Sequence, residues 1–91
     1  MVKIKFLARL KDITGEKEVN IEYNGEINGL IQLLTSKYDD ELANLLFSKD
    51  GELREYIKIL VNEEDIRNIN GLETPIKDTD EIVIFQTIAG G

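Results

Sequence analysis

The chain has 91 residues, 42% of them hydrophobic and 32% charged, with eleven basic and eighteen acidic residues for a net charge of −7. That length fits one domain with one modest core, and the negative charge argues against nucleic acid as the main partner. Cysteine and histidine are both absent, which excludes disulfides, thiolate zinc sites, a cysteine nucleophile and a histidine base.

No apolar run approaches the roughly 20 residues of a membrane-spanning helix, so no membrane partner is expected. Met1–Lys5 alternates charged with apolar residues and lacks the continuous apolar stretch of a signal peptide. The expected location is the cytoplasm. Charge is uneven along the chain. Residues 1–11 hold Lys3, Lys5, Arg9 and Lys11 and no acid, while the remaining eighty carry seven basic and eighteen acidic residues. A strand with a basic outer face accounts for this.

The first segment alternates. Val2, Ile4, Phe6, Ala8 and Leu10 share one face, and Lys3, Lys5, Leu7, Arg9 and Lys11 the other. A period of two predicts a half-buried strand of nine or ten residues. Asp12–Gly15 supplies turn residues. Val19, Ile21 and Tyr23 then alternate with polar residues, so residues 2–23 read as a β-hairpin. Asn28 is the expected N-cap of a helix over about 28–38, with Leu30, Ile31, Leu34 and Tyr38 at helical spacing. A second helical stretch starts with the acids Asp39-Asp40-Glu41, which suit a helix N-terminus. It places Leu42, Leu45 and Leu46 on one face and ends near Ser48–Gly51.

Tyr56–Asn62 reads as a third strand with Ile57, Ile59 and Val61 inward. Asn62–Asp65 is a polar turn. Residues 66–73 are short and irregular, with room for one brief edge strand. Lys77–Asp80 turns into the last strand, Glu81–Gln86. Hairpin, helix, strand, short element, strand is not the repeated βαβ order of a doubly wound fold. The expected class is α+β: a β-grasp, or ubiquitin-like, mixed sheet with a helix packed on one face. Its first and last strands then pair in parallel at the sheet centre. Residues 1–86 are the expected domain and 87–91 a flexible diglycine tail. The expected core contains Val2, Ile4, Phe6, Ile21, Leu30, Leu34, Ile57, Ile59, Val61, Ile82 and Ile84.

Gly90-Gly91 closes the sequence a few residues after an apolar strand. Diglycine has no side chains to block close approach and tolerates unusual backbone angles. Residues 87–91, fully extended, span roughly 17 Å, which suits a narrow catalytic channel. Leu7, Leu60 and Phe85 each fall out of phase with the buried face of their strands. Three neighbouring strands would gather them into one exposed apolar patch, rimmed by Lys3, Lys5, Arg9 and Lys58, of the kind that marks partner sites. The acidic runs Asp39–Glu41 and Glu63–Asp65 read as solvated faces. Asp78-Thr79-Asp80 lacks the glycine and the twelfth-position acid of a calcium loop. No metal site is expected.

The sequence resembles the archaeal branch of the small molybdopterin-synthase subunit family, the MoaD-like sulfur carriers, related to the thiamine sulfur carrier and to ubiquitin. Four segments carry the resemblance: Phe6–Gly15, Val61-Asn62, Asp78-Thr79-Asp80-Glu81-Ile82 and Ala89-Gly90-Gly91. There are departures. Glu63 and Thr79 stand where glycines are usual, Gln86-Thr87 where many relatives have prolines, and the stretch 39–54 is longer than in compact members. The resemblance implies a carrier and not an enzyme. A ubiquitin-activating-type adenylyltransferase would adenylate the Gly91 carboxylate with ATP, and a sulfur donor protein would convert it to a thiocarboxylate. That sulfur would serve molybdenum or tungsten cofactor biosynthesis within a complex with the larger molybdopterin-synthase subunit. No cofactor of the chain's own is implied. Gly91 would be the reacting residue, Gly90 would give access, and Leu7, Leu60, Phe85 and Ala89 would meet partners. The alternatives are a ubiquitin-like modifier joined to lysines through Gly91, and a non-catalytic interaction module.

Overall fold

The computed structural model describes residues 1–38 and 40–87. Five strands form one mixed sheet in the order β2-β1-β7-β4-β5. They are β1 (Val2–Phe6), β2 (Glu18–Ile21), β4 (Ile57–Val61), β5 (Glu64–Asp65) and β7 (Glu81–Gln86). A small ribbon pairs β3 (Gly25–Glu26) with β6 (Pro75–Ile76). Helices α1 (Arg9–Thr14), α2 (Ile27–Lys37) and α3 (Asp40–Leu46) complete the fold, with 3-10 turns at Ile66–Asn68 and Gly71–Glu73. The central pair β1 and β7 is parallel, with Ile4 beside Ile82 and Phe6 beside Ile84. Every other pairing in the sheet is antiparallel. This is the β-grasp architecture expected from the order of elements.

The core follows the alternation. Val2, Ile4, Phe6, Ile57, Ile59, Val61, Ile82 and Ile84 are buried on one sheet face, and Ile27, Leu30, Ile31, Leu34, Leu42 and Leu46 cover them from α2 and α3. All the expected core residues are buried except Ile21, which lies half-buried at the end of edge strand β2.

The N-terminal strand is shorter than its periodicity predicts. It ends at Phe6, and the chain turns at Ala8 into α1. Ala8 takes φ 52° and ψ −124°, and the Leu10 amide closes the turn on the Leu7 carbonyl at 3.1 Å. Ala8 is therefore exposed, and Leu10 reaches the core from a helix. The predicted turn at Asp12–Gly15 is the end of α1, closed by Gly15 at φ 75° with its amide on the Lys11 carbonyl. A residue in this left-handed conformation is the usual helix stop.

Helix α2 starts one residue earlier than expected. Glu26 is its N-cap and makes no side-chain cap bond, so Asn28 is not the cap but lies inside the first turn. Buried Ile27 anchors the first turn instead. Its C-terminal neighbour Tyr38 packs edge-on against Phe6, with ring centroids 6.0 Å apart. The Tyr38 hydroxyl donates to Glu16 Oε2, joining the end of α2 to the loop before β2.

Two of the resembling segments meet in one hydrogen-bonded clasp. Asn62 Nδ2 donates to Asp80 Oδ1 at 2.9 Å, and Asn62 Oδ1 accepts from the Glu81 amide at 3.0 Å. Asp80 Oδ2 accepts from the Lys77 amide at 2.9 Å, fixing the turn into β7. Asp80 is buried, and these partners satisfy it, as burial of a charged group demands. Thr79 takes no positive φ, so the turn does not require the glycine usual there. The hairpin joining β4 to β5 does favour one. Asn62 and Glu63 have φ of 51° and 76°, and positive φ at both central residues defines a type I′ turn, where Asn-Gly is preferred.

Two stability predictions follow from these contacts. Glu63→Gly should raise stability by about 1 kcal/mol, the cost of a left-handed L-residue, or roughly 4–8 °C in thermal midpoint for a domain of this size. Thermal unfolding checks it, and an unchanged or lowered midpoint contradicts it. The second concerns pH. Burial, then the hydrogen bond to Glu16 and its negative charge, push the Tyr38 phenol above its usual value near 10. Protonated Tyr38 thus favours the folded state. Its contribution is complete below the unfolded value and is lost as pH rises through the alkaline range. Tyr38→Phe should be less stable at neutral pH by about 1 kcal/mol. It should also lose less stability than the parent between neutral pH and pH ~11, measured as denaturant midpoints.

Candidate functional site

The buried face of the sheet is covered by helices, and the opposite face is open. Because β1 and β7 are parallel, their C-terminal ends lie together. Phe6 pairs with Ile84, and the next amide, Leu7, donates to the Ile84 carbonyl at 3.2 Å. Leu7 therefore follows β1 at the level of Phe85. On the other side of β7, Phe85 pairs with Lys58 and Val83 with Leu60. Leu7, Leu60 and Phe85 share one face of the sheet, as their phase predicts, with Leu7 and Phe85 at the end of β1 and β7 and Leu60 further along, level with Val83. Leu7 is 47% exposed, whereas Leu60 and Phe85 are half-buried, so the patch is less open than expected.

The sequence reading missed Val83, which lies between Lys5 and Leu60 in register. Its signal was available, since Val83 and Phe85 are two apart on one strand and so share a face. The stretch 40–46 does not cover the patch. Leu42 and Leu46 of α3 enter the core, and α3 packs against α1 and α2 on the helical side.

The basic rim differs from its expected form. Lys58 pairs with Asp65 at 3.6 Å and Lys5 with Glu81 at 3.5 Å, so both are balanced locally. Arg9 is not on a strand at all but opens α1. Asp65 also accepts from the Arg67 amide at 2.9 Å, so this member of the acidic run has a structural role.

Strand β7 occupies the sheet centre, and the chain leaves it beside the patch. There Thr87 donates both its amide, at 2.7 Å, and its hydroxyl, at 3.2 Å, to the Tyr56 carbonyl. This doubled bond continues the β4–β7 ladder by one step and sets the point of departure toward residues 88–91. It was not legible in the sequence, because it depends on the register between residues 31 apart in the chain. The neighbouring carbonyls of Arg54 and Ile57 accept from the Arg67 guanidinium at 2.9 and 2.8 Å, which holds this end of β4 in place. Ala89, Gly90 and Gly91, the expected reacting and partner-contacting residues, lie outside the described residues.

A five-stranded mixed sheet grasping a helix, with an apolar patch beside the exit of its central strand, defines a ubiquitin-like protein. Comparison with known proteins narrows the class. The chain belongs to the ThiS family, whose model matches residues 4–91. It is similar, at 36% identity over 90 residues, to an Archaeoglobus fulgidus protein named "Putative sulfur carrier protein". That match covers 99% of this chain and 98% of the other. The fold superposes on small archaeal modifier protein 1 of Methanosarcina acetivorans with a TM-score of 0.85 and 35% identity, covering 99% of this chain and 95% of that one. It also matches a chain of the Amycolatopsis orientalis BexX/CysO complex, with a TM-score of 0.82, 30% identity and complete coverage of both chains. The protein is thus a member of the ubiquitin-like group of sulfur carriers and small modifiers.

Proposed function

We propose that this protein carries sulfur on its C-terminal glycine. The observation that supports this most is the extent of the family match, which runs through Gly91 and includes the diglycine. A carboxylate is a poor electrophile. Attack of the Gly91 carboxylate on the α-phosphate of ATP would release pyrophosphate and leave an acyl-adenylate. Sulfide supplied by a donor protein would then attack the acyl carbon and expel AMP, leaving the thiocarboxylate. An adenylyltransferase of the ubiquitin-activating type would supply ATP and the acid–base groups, so the carrier needs neither a bound cofactor nor histidine. The acceptor we favour is a pterin precursor in a molybdopterin-synthase-like complex with a larger subunit. The support for it is the MoaD-like character of the four resembling segments.

A second reading has its own observation. The similarity to a small archaeal modifier protein at 35% identity favours conjugation of Gly91 to lysine amines after the same activation. Both readings use the open sheet face as the docking surface and the end of β7 as the launching point. In both, the fold presents a terminus and its partners perform the chemistry.

Two experiments test this. A chain ending at Gly90 should give no pyrophosphate exchange with the adenylyltransferase and keep its thermal midpoint, while Gly90→Val should slow exchange. Normal exchange by the shortened chain would place the chemistry elsewhere. For docking, Phe85→Ala and Leu60→Ala should each weaken binding to the adenylyltransferase by about thirtyfold, or roughly 2 kcal/mol, as truncation of a central apolar anchor does. Affinities within twofold of the parent would remove the patch from the interface.

A further inference from the structure

The positive charge of this acidic chain is concentrated. Residues 1–17 hold five basic residues and two acids, and the other 74 hold six basic residues and sixteen acids. The fold gathers part of that charge around a cavity. Lys5, Lys11, Lys17, Leu7, Ala8 and Glu18 line a space of about 330 Å³ where β1 ends, α1 begins and β2 starts. Its walls are held firmly. The Phe6 amide donates to the Lys17 carbonyl at 2.9 Å, and the Leu7–Leu10 turn closes the opposite side. Ala8 keeps a backbone conformation that L-residues rarely adopt, and such strain persists only where the surroundings over-determine it.

The charges at the cavity are not equivalent. Lys5 is paired with Glu81 and faces Glu18 in register. Lys11 and Lys17 are exposed, and neither forms an ion pair among the described residues. Leu7 belongs to both the cavity and the apolar patch, so the two surfaces are continuous. The volume is at the small end of the range for ligand pockets. It suits one large side chain.

We propose that this cavity receives an acidic, extended segment of the protein that docks on the open sheet face. Carboxylates of that segment meet Lys11 and Lys17, and one apolar side chain enters against Leu7 and Ala8. The inference rests on the docking reading above and adds the chemistry of the partner. A chain of net charge −7 repels acidic surfaces at long range, so a local basic pole selects the orientation in which they meet. Charges of this kind act mainly on association rate and specificity.

The test uses the whole chain, isotopically labelled, with two probes: the capped peptide Asp-Glu-Phe-Glu-Asp and inorganic phosphate. The peptide should shift the amides of Leu7, Ala8, Lys11 and Glu18, and its affinity should fall about tenfold in the variant Lys11→Glu/Lys17→Glu. Both positions are exposed, and an unchanged thermal midpoint verifies the fold. The same variant should associate about tenfold more slowly with the adenylyltransferase and lose most of its salt dependence. Peptide affinity or association within twofold of the parent overturns the proposal, as do shifts confined elsewhere. Phosphate displacing the peptide at equal concentration would make the cavity a small-anion site and also overturn it. Phe85→Ala separates the two readings. If it weakens docking while the lysine variant does not, the patch stands without the cavity. If neither has an effect, both fail.

Discussion

The parallel pairing of β1 with β7 is the constraint on which the rest of the structure depends. Antiparallel neighbours can be joined by a short turn, but a parallel pair needs a long crossover, and here almost the whole chain is that crossover. Its register sets Ile4 beside Ile82 and Phe6 beside Ile84, stacking large apolar residues over the helices. The same register puts Leu7 at the level of Phe85 on the other face. A slip of one residue would exchange core and surface along a strand, burying Phe85 and exposing Ile84. Core and docking patch are therefore two consequences of one alignment. Because both strands point the same way, that alignment also brings Leu7 and Phe85 to the end where the chain leaves the sheet.

Much of this was legible in the sequence, for a physical reason. Strands β1, β4 and β7 each bury one face, so their residues alternate strictly, and the alternation identified both the core and the outward Leu7, Leu60 and Phe85. The errors arose where parity misleads. Leu10 continues the alternation of Phe6, yet it is buried from helix α1 after a turn at Ala8 that has no glycine to announce it. Asn28 is a good capping residue in a place where buried Ile27 had already started the helix. Ile21 has the right parity but lies at the end of an edge strand. The Thr87–Tyr56 bond and the pairing of Lys5 and Lys58 with acids depend on register between distant segments, which no local pattern encodes.

The clasp of Asn62 with Asp80 and Glu81 explains why two widely separated motifs are found in one chain. Asn62 takes a left-handed conformation that asparagine tolerates better than most residues, and in doing so it offers amide and carbonyl groups to the turn before β7. Asp80 closes that turn from the other side. The clasp secures the far end of β7, opposite the end that leads to the tail. One end of the central strand is thus held by polar contacts, and the other carries Phe85 and the exit. Catalytic groups are not needed on such a scaffold. Its task under the proposed function is to be recognised by partners and to present one carboxylate.

The central claim is that this carboxylate becomes a carrier of sulfur, and the intact mass of the chain tests it most directly. The protein should be produced with its adenylyltransferase and sulfur donor and then weighed whole. The account predicts a gain equal to exchange of one oxygen for sulfur, confined to the C-terminal peptide and absent from a chain ending at Gly90. An unmodified chain under those conditions, accompanied by other proteins bearing diglycine remnants on lysine, would contradict sulfur carriage and establish conjugation in its place.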